Sequence, residues 1–414
     1  MYFLYSILIN LIIIFSPIIL LVRILQSKED KSRFLEKFSF PSKKRVKGKL
    51  VWFHGSSVGE INSIIPLIEK FEKNKTISQI LITSNTLSSS KILKNYNFKK
   101  AEHQFFPIDK KFLVTKFLNY WKPNILYLIE SEIWPNMIYE LKRKKIPLIL
   151  LNARITKKSF ERWFKIKSLS EGIFKSFNLC ISQNNESTNY LRRLGAKKII
   201  KLGNLKYSEL ENLKLNKLKQ RTHNFLKSRK ILFSCISTHK GEEDFCAKLH
   251  LKLKDIYPNI LTIVIPRHIN RKDQIIDLFN NLNIKSYCHS SKENIKKNTE
   301  IYIVDTFGET KTFLNYSKTA FIGGSLVKHG GQNPLEAARM GCRIIHGPYV
   351  DNFKEIYSFL RKKNISKLIK SKNAAASYVS QNYRKISISD NRISLKNIGK
   401  KILIRNYNAL TEYL

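Results

Sequence analysis

Thr319 to Pro348, TAFIGGSLVKHGGQNPLEAARMGCRIIHGP, reads as strand, glycine loop, helix and strand. Asn333 suits an N-cap, Pro334 suits the first helical position, Leu335 follows, and Glu336 stands where it would close a capping box. Gly323, Gly324, Gly330 and Gly331 are expected to leave bare amides in front of that helix, whose dipole favours an anion. A nucleotide-type ligand is the expectation for this stretch.

The same grammar extends outward in both directions. KILFSCIS, ILTIVIP, IYIVD, TAFIGG and RIIHG in the second half, and KLVWFH, QILITS, ILYLIE, PLILLN and LCIS in the first, are short apolar runs separated by amphipathic stretches. Near-continuous apolar runs of this length are buried parallel strands, and the intervening stretches, such as Ile61 to Lys73 and Pro135 to Lys144, are helices. The expected fold class is α/β, with two Rossmann-like doubly wound domains and a ligand cleft between them at the carboxyl ends of the strands. The boundaries expected are a membrane anchor at 1–24, a first domain at 35–208, a lysine-rich linker at 209–229, a second domain at 230–390, and a C-terminal helix at 391–414 packing on the first domain. The tail from Asn364 onward has a helical pattern.

With 414 residues the chain is long enough for two domains. Its formal net charge of +44 reflects lysine spread over the whole sequence. Such a surface attracts anionic lipid or an anionic substrate. Nucleic acid has charge alone in its favour, since no zinc-finger spacing, RNA-recognition signature or basic heptad region is present. Residues 1–22 carry no charge and Arg23, Lys28, Lys31 and Arg33 follow, a pattern that predicts an anchor with a cytoplasmic body rather than a cleaved leader. Five scattered cysteines, none in C-x-x-C, point to a reducing compartment and away from a metal or disulfide framework.

Candidate chemistry gathers at strand ends. Glu60 follows KLVWFH in GSSVGE; it either complements a helix dipole or, kept ionised by that dipole, takes a hydroxyl proton. Gly55 and Gly59 would leave room for substrate. Glu130 closes ILYLIE, at a solvated rim or in the site, while Glu132, Trp134 and Pro135 read as local structure at the next helix start. Arg154 after PLILLN could hold a carboxylate or phosphate in bidentate fashion, and Lys206 lies in GNLK at the domain junction. In the second half STHKGEE reads mainly as helix capping. Arg267 and His268 in IPRH could reach a phosphate, and Phe307, Gly308 and Glu309 in DTFGE complete a nucleotide-sugar pocket with the opening stretch. No P-loop lysine, H-E-x-x-H or G-x-S-x-G pattern occurs.

Taken in order, HGSSVGE, ESEIWPN, NAR, GNLK, STHKGEE, IPRH, DTFGE, GGSLVKHGGQNPLE and GPYVDNF resemble the 3-deoxy-D-manno-octulosonic acid (Kdo) transferases of lipopolysaccharide synthesis. The resemblance spans nearly the whole chain. It implies a GT-B fold, inverting transfer of Kdo from CMP-Kdo to a lipid A precursor (lipid IVA), no metal or cofactor, and a place on the cytoplasmic face of the inner membrane beside anionic lipid. By the resemblance Glu60 is the general base, and Glu130 and Lys206 stabilise the transition state. Arg267, His268, Phe307 to Glu309 and Asn333 to Glu336 hold CMP, and Arg154 is a candidate for the donor carboxylate. Gly55 stands where the family more often has alanine, and Gln332 where it often has histidine. Two rival expectations are another membrane-associated GT-B enzyme using a UDP-sugar, and a non-catalytic polyanion binder.

Overall fold

The five apolar runs of the first half form β1 (Leu50–His54), β2 (Gln79–Ser84), β4 (Ile125–Ile129), β5 (Leu148–Ala153) and β6 (Leu179–Ser182), and two strands not expected, β3 (Ala101–Phe105) and β7 (Ile199–Lys201), complete the set. The computed structural model describes residues 2–26, 28–208, 215–229, 232–384 and 389–414. The chain divides into two compact units, Met1–Leu210 with Asn397–Leu414, and Glu211–Lys396.

In the first unit the seven strands make one parallel sheet in the order β3-β2-β1-β4-β5-β6-β7. Alternation along β1 decides which face each side chain covers. Leu50 and Trp52 join Leu126, Leu128, Phe117 and Trp121 on one face. Val51 and Phe53 join Ile61, Ile64, Ile68 and Phe71 on the other. All four β1 side chains are fully buried, and each large apolar group removed from water contributes roughly 1.5–3 kcal/mol. The last helix, Ser389–Thr411, closes this second face from Asn397 onward. Leu410 is buried in its core, Tyr407 packs edge-on against Phe71, and the Tyr127 hydroxyl donates to the Leu410 carbonyl at 3.3 Å. A β-carbon at Gly399 would lie 2.2 Å from the Tyr207 carbonyl oxygen, so only glycine permits that approach.

The charge-free N-terminus is a helix, Tyr2–Leu25, of which Tyr5–Leu25 is long and apolar enough to cross a membrane. Leu8, Ile14, Ile18 and Leu21 are among its exposed side chains. Polar contacts at Tyr5 and Asn10 tie it to the unit. The Tyr5 hydroxyl donates to buried Asp109, whose carboxylate also accepts the amides of Asn136 and Met137 at 2.9 and 2.8 Å, the first turn of the helix Pro135–Arg143.

The second unit contains β8 (Leu232–Thr238), β9 (Leu261–Pro266), β10 (Ser286–Cys288), β11 (Ile301–Ile303), β12 (Thr319–Ile322), β13 (Arg343–His346) and β14 (Ser366–Leu368). They form a second parallel sheet in the order β10-β11-β9-β8-β12-β13-β14. The tail read as wholly helical begins with β14, paired to β13 through Ile344–Ser366. Of the interval read as a linker, residues 209–214 lie outside the described residues, and Gln220–Ser228 is a helix.

Both sheets reverse their strand order beside the first strand, between β1 and β4 and between β8 and β12. In open α/β sheets that reversal opens the crevice where ligands bind. The turn leaving β1 opens the helix whose first turn carries Glu60, the turn leaving β4 carries Glu130, and the loops leaving β8 and β12 carry His239 and the glycine stretch.

Candidate active site

Ser57 caps the helix Val58–Glu72, accepting the Glu60 amide at 3.3 Å, and its hydroxyl donates back to the Glu60 carboxylate at 2.7 Å. The Ser56 amide donates to the other carboxylate oxygen at 2.8 Å. Local capping chemistry therefore aims Glu60, as the S-x-x-E spacing dictates. The expected effect on its charge is reversed. Burial, and then the nearby Glu132 carboxylate, push Glu60 up to about 7, against the pull of the Ser57 and Ser56 hydrogen bonds. The helix dipole is too small to win, because it is worth only about 0.3–1 kcal/mol at ordinary sites. A β-carbon on Gly55 would come 3.1 Å from the Glu60 β-carbon, so the space left there is space for Glu60 itself; at Gly59 it would meet nothing within 4 Å.

Glu132 is no mere helix-start acid. Its carboxylate accepts the Ser56 hydroxyl at 2.6 Å and the Trp134 indole at 2.9 Å, and lies 3.3 Å from His54 Nε2. Burial raises its pKa, but His54, Ser56 and Trp134 together outweigh burial and hold it below the usual glutamate range. His54 is fully buried, stacked on Phe106 at 3.7 Å, with Nδ1 3.0 Å from Thr83 Oγ1. Asn85 adds a bond to Ser56 Oγ at 2.7 Å. His54, Ser56, Asn85 and Glu132 were missed as site residues; the signal available was that HGSS and ESEIWP each leave a central strand.

Glu130 and Lys206 meet as an ion pair at 2.6 Å, both mostly buried. Glu130 has φ 55°, a left-handed conformation uncommon for a residue with a β-carbon. Asn152 shares it with φ 53° and accepts the Leu205 amide at 3.0 Å, while Asn204 accepts the Lys206 amide at 2.9 Å. The two asparagines thus fix the turn that carries Lys206 to Glu130. Arg154 is brought to the same place by its backbone, its amide donating to the Glu130 carbonyl at 3.2 Å.

In the second unit the glycine loop differs from expectation. The Gly323 amide donates to the Ile236 carbonyl, and that of Gly331 to the Gly324 carbonyl. The amides of Gly324, Ser325 and Leu326 converge instead on the fully buried Glu242 carboxylate at 2.6, 3.0 and 2.9 Å, joined by the His239 amide at 2.9 Å. The anion that fills this nest is the chain's own. The capping box fails as well: the helix is only Leu335–Arg339, with Pro334 in the cap position, and Asn333 Oδ1 accepts the Leu335 amide at 3.0 Å. Proline's fixed φ lets Asn333 close an Asx turn rather than a cap. Glu336 lies 4.0 Å from Lys311.

Around the filled nest stands a cluster of histidines flanked by arginines. The His239 and His329 rings lie 4.0 Å apart, His268 is edge-on to His239 at 5.8 Å, and Gln332 Nε2 is 3.1 Å from His239 Nε2. Burial, followed by His329, His268 and Arg267, lowers His239 to about 4. Arg267 and His268 are exposed beside it, and Arg271 is bidentate with Glu243 at 3.0 and 3.1 Å. Phe307 is 75% exposed next to Gly308 at φ 82°. Glu309 is engaged by the Thr306 hydroxyl and lies 3.3 Å from His289 Nε2.

The sequence profile of the family described as 3-Deoxy-D-manno-octulosonic-acid transferase (kdotransferase) matches residues 32–209. A 3-deoxy-D-manno-octulosonic acid transferase of Rickettsia bellii is 33% identical over 96% of this chain and 94% of its own length. This chain belongs to the 3-deoxy-D-manno-octulosonic acid transferase family. The Kdo transferase of Haemophilus influenzae is 29% identical, over 88% of this chain and 85% of its own. Among solved structures, the UDP-GlcNAc 2-epimerase of Neisseria meningitidis superposes with a TM-score of 0.60 at 13% identity, covering 88% of this chain and 99% of that one. That likeness fixes the fold alone, the two Rossmann-like units of the GT-B class. Within the Kdo transferase family frame, the Glu60 and Glu130 clusters lie in the profile-matched region, and the histidine cluster beyond it.

Proposed function

We propose that this chain is an inverting glycosyltransferase that moves Kdo from CMP-Kdo to a lipid A precursor. Its relatedness to Kdo transferases over nearly the whole chain carries the reading. The first unit supplies the base. Glu60, pushed up to about 7, accepts the proton of the acceptor hydroxyl as that oxygen bonds to C2 of Kdo, and Glu132, held ionised, keeps Glu60 basic enough to do so. The bond from C2 to the phosphate oxygen breaks and its electron pair leaves with CMP.

Lys206, paired with Glu130, offers a fixed positive charge to the anomeric centre or the donor carboxylate, and Arg154 is a second candidate for that carboxylate. In the second unit Arg267 and His268 meet the phosphate, the exposed Phe307 ring suits a stacked base, and Gly308, Glu309 and the segment Asn333, Pro334, Leu335 and Glu336 contact the nucleoside. Fixed cations take the place a metal would have, and no metal is proposed. The apolar N-terminal helix is proposed to hold the protein at the cytoplasmic face of the inner membrane, where anionic lipid meets its basic surface. The test is to incubate the protein with lipid IVA and either CMP-Kdo or UDP-sugars and weigh the products. Addition of Kdo from CMP-Kdo is expected; transfer from a UDP-sugar, with CMP-Kdo untouched, would overturn the reading.

A further inference from the structure

A groove of the first unit that Glu60 does not line runs between the helices Pro135–Arg143 and Lys167–Phe174 and holds about 1000 Å³. Its walls are Ile138, Tyr139, Ile166, Leu169 and Ile173, and its rim carries Lys142, Arg143, Lys165 and Lys167. Arg143 is engaged by Glu140, and Lys167 lies 3.9 Å from Glu171. Lys142 and Lys165 make no ion pair among the described residues. An apolar trough with unspent cations at its edge matches one class of molecule, an acyl chain whose head carries phosphate.

The position of the groove argues for the same occupant. The helix Pro135–Arg143 is the one whose first turn is held by Asp109, and Asp109 is the group to which Tyr5 ties the apolar N-terminal helix. Lys110 strengthens that tie through Asn10. Whatever brings the N-terminal helix to a membrane brings this groove with it. Pro135 also follows directly on Trp134, whose indole donates to Glu132, so the groove's helix starts at the edge of the Glu60 cluster.

We propose that the groove between Pro135–Arg143 and Lys167–Phe174 binds an acyl chain of the phosphorylated lipid acceptor, with Lys142 and Lys165 at its phosphate. The proposal rests on the Kdo transfer reading and adds a lipid subsite to it. Gly172 lies on the groove, and a β-carbon there would meet nothing within 4 Å, so Gly172→Leu fills the trough while favouring the helix.

The test compares kinetics on the acylated acceptor and on its fully deacylated, water-soluble form. Gly172→Leu is expected to raise KM for the acylated acceptor on the order of tenfold, as losing the burial of about two methylene groups would. It should leave the deacylated acceptor unchanged, with Gly172→Ala close to wild type. Lys142→Glu with Lys165→Glu, both on the surface, should raise the same KM and spare the same control. An unchanged KM for the acylated acceptor in Gly172→Leu overturns the proposal, as does a variant that only weakens binding to vesicles of bulk phospholipid. A photoreactive acyl analogue of the acceptor gives a readout independent of turnover: label on Ile138, Leu169 or Ile173 supports the subsite even if no Kdo is transferred, and label confined elsewhere overturns it.

Discussion

Glu60 and Glu132 share Ser56, which donates its amide to the first at 2.8 Å and its hydroxyl to the second at 2.6 Å. The two carboxylates are pushed apart in acidity by what surrounds them, Glu60 upward by burial and Glu132, and Glu132 downward by His54, Ser56 and Trp134. One is left ready to accept a proton near neutral pH and the other remains an anion.

Rate should therefore follow the charge on Glu60. The kcat/KM profile is expected to rise with pH through about 7 as Glu60 loses its proton. Glu132→Gln removes a charge that raises Glu60, so its rising limb should move to lower pH. Ser57→Ala removes a hydrogen bond that lowers Glu60, so its limb should move to higher pH. Profiles of the three proteins check this; limbs that coincide would show that Glu60 does not set the limb.

Stability should respond in the opposite sense to the usual carboxylate. The folded chain keeps a proton on Glu60 between the ordinary glutamate value of 4.5 and about 7, so the contribution of this position falls as pH rises through that window. Glu60→Gln should be level with wild type near pH 4 and more stable by about 1–3 kcal/mol at pH 8. Denaturant unfolding at the two pH values measures it.

The Glu130 and Lys206 pair predicts a large asymmetric loss. Lys206→Ala leaves a mostly buried carboxylate without its cation and should cost about 3 kcal/mol of folding stability. Adding Glu130→Gln should recover much of that loss without restoring turnover. A double-mutant cycle on stability, with activity recorded for each protein, tests both halves.

Glu242 is predicted to be structural first. Glu242→Gln puts an amide where four backbone N–H groups converge, and should lower the stability of the second unit by about 3 kcal/mol and weaken CMP binding together. Calorimetry of unfolding and of CMP binding would check it; full CMP affinity with normal stability would remove Glu242 from this role.

Much of this was legible in the sequence because apolar runs such as LVWFH and TAFI are central strands, and central strands announce themselves. Ala101–Phe105 did not, since AEHQF is an edge strand with three half-buried residues, and Ser366–Leu368 is too short for any period to show. Glu60 and Glu130 were readable as strand-end acids. The charge on Glu60 was not, because it depends on burial and on Glu132, 72 positions away. The occupation of the glycine nest was invisible for the same reason: Glu242 reaches amides 82 to 84 residues further along the chain.

The most direct measurement is the transfer of Kdo from CMP-Kdo to lipid IVA by wild type and Glu60→Gln side by side, with CMP affinity determined for both. The account predicts equal CMP affinity and a rate lower by about 10²–10⁴-fold in the variant. Turnover within a few-fold of wild type in Glu60→Gln would contradict it.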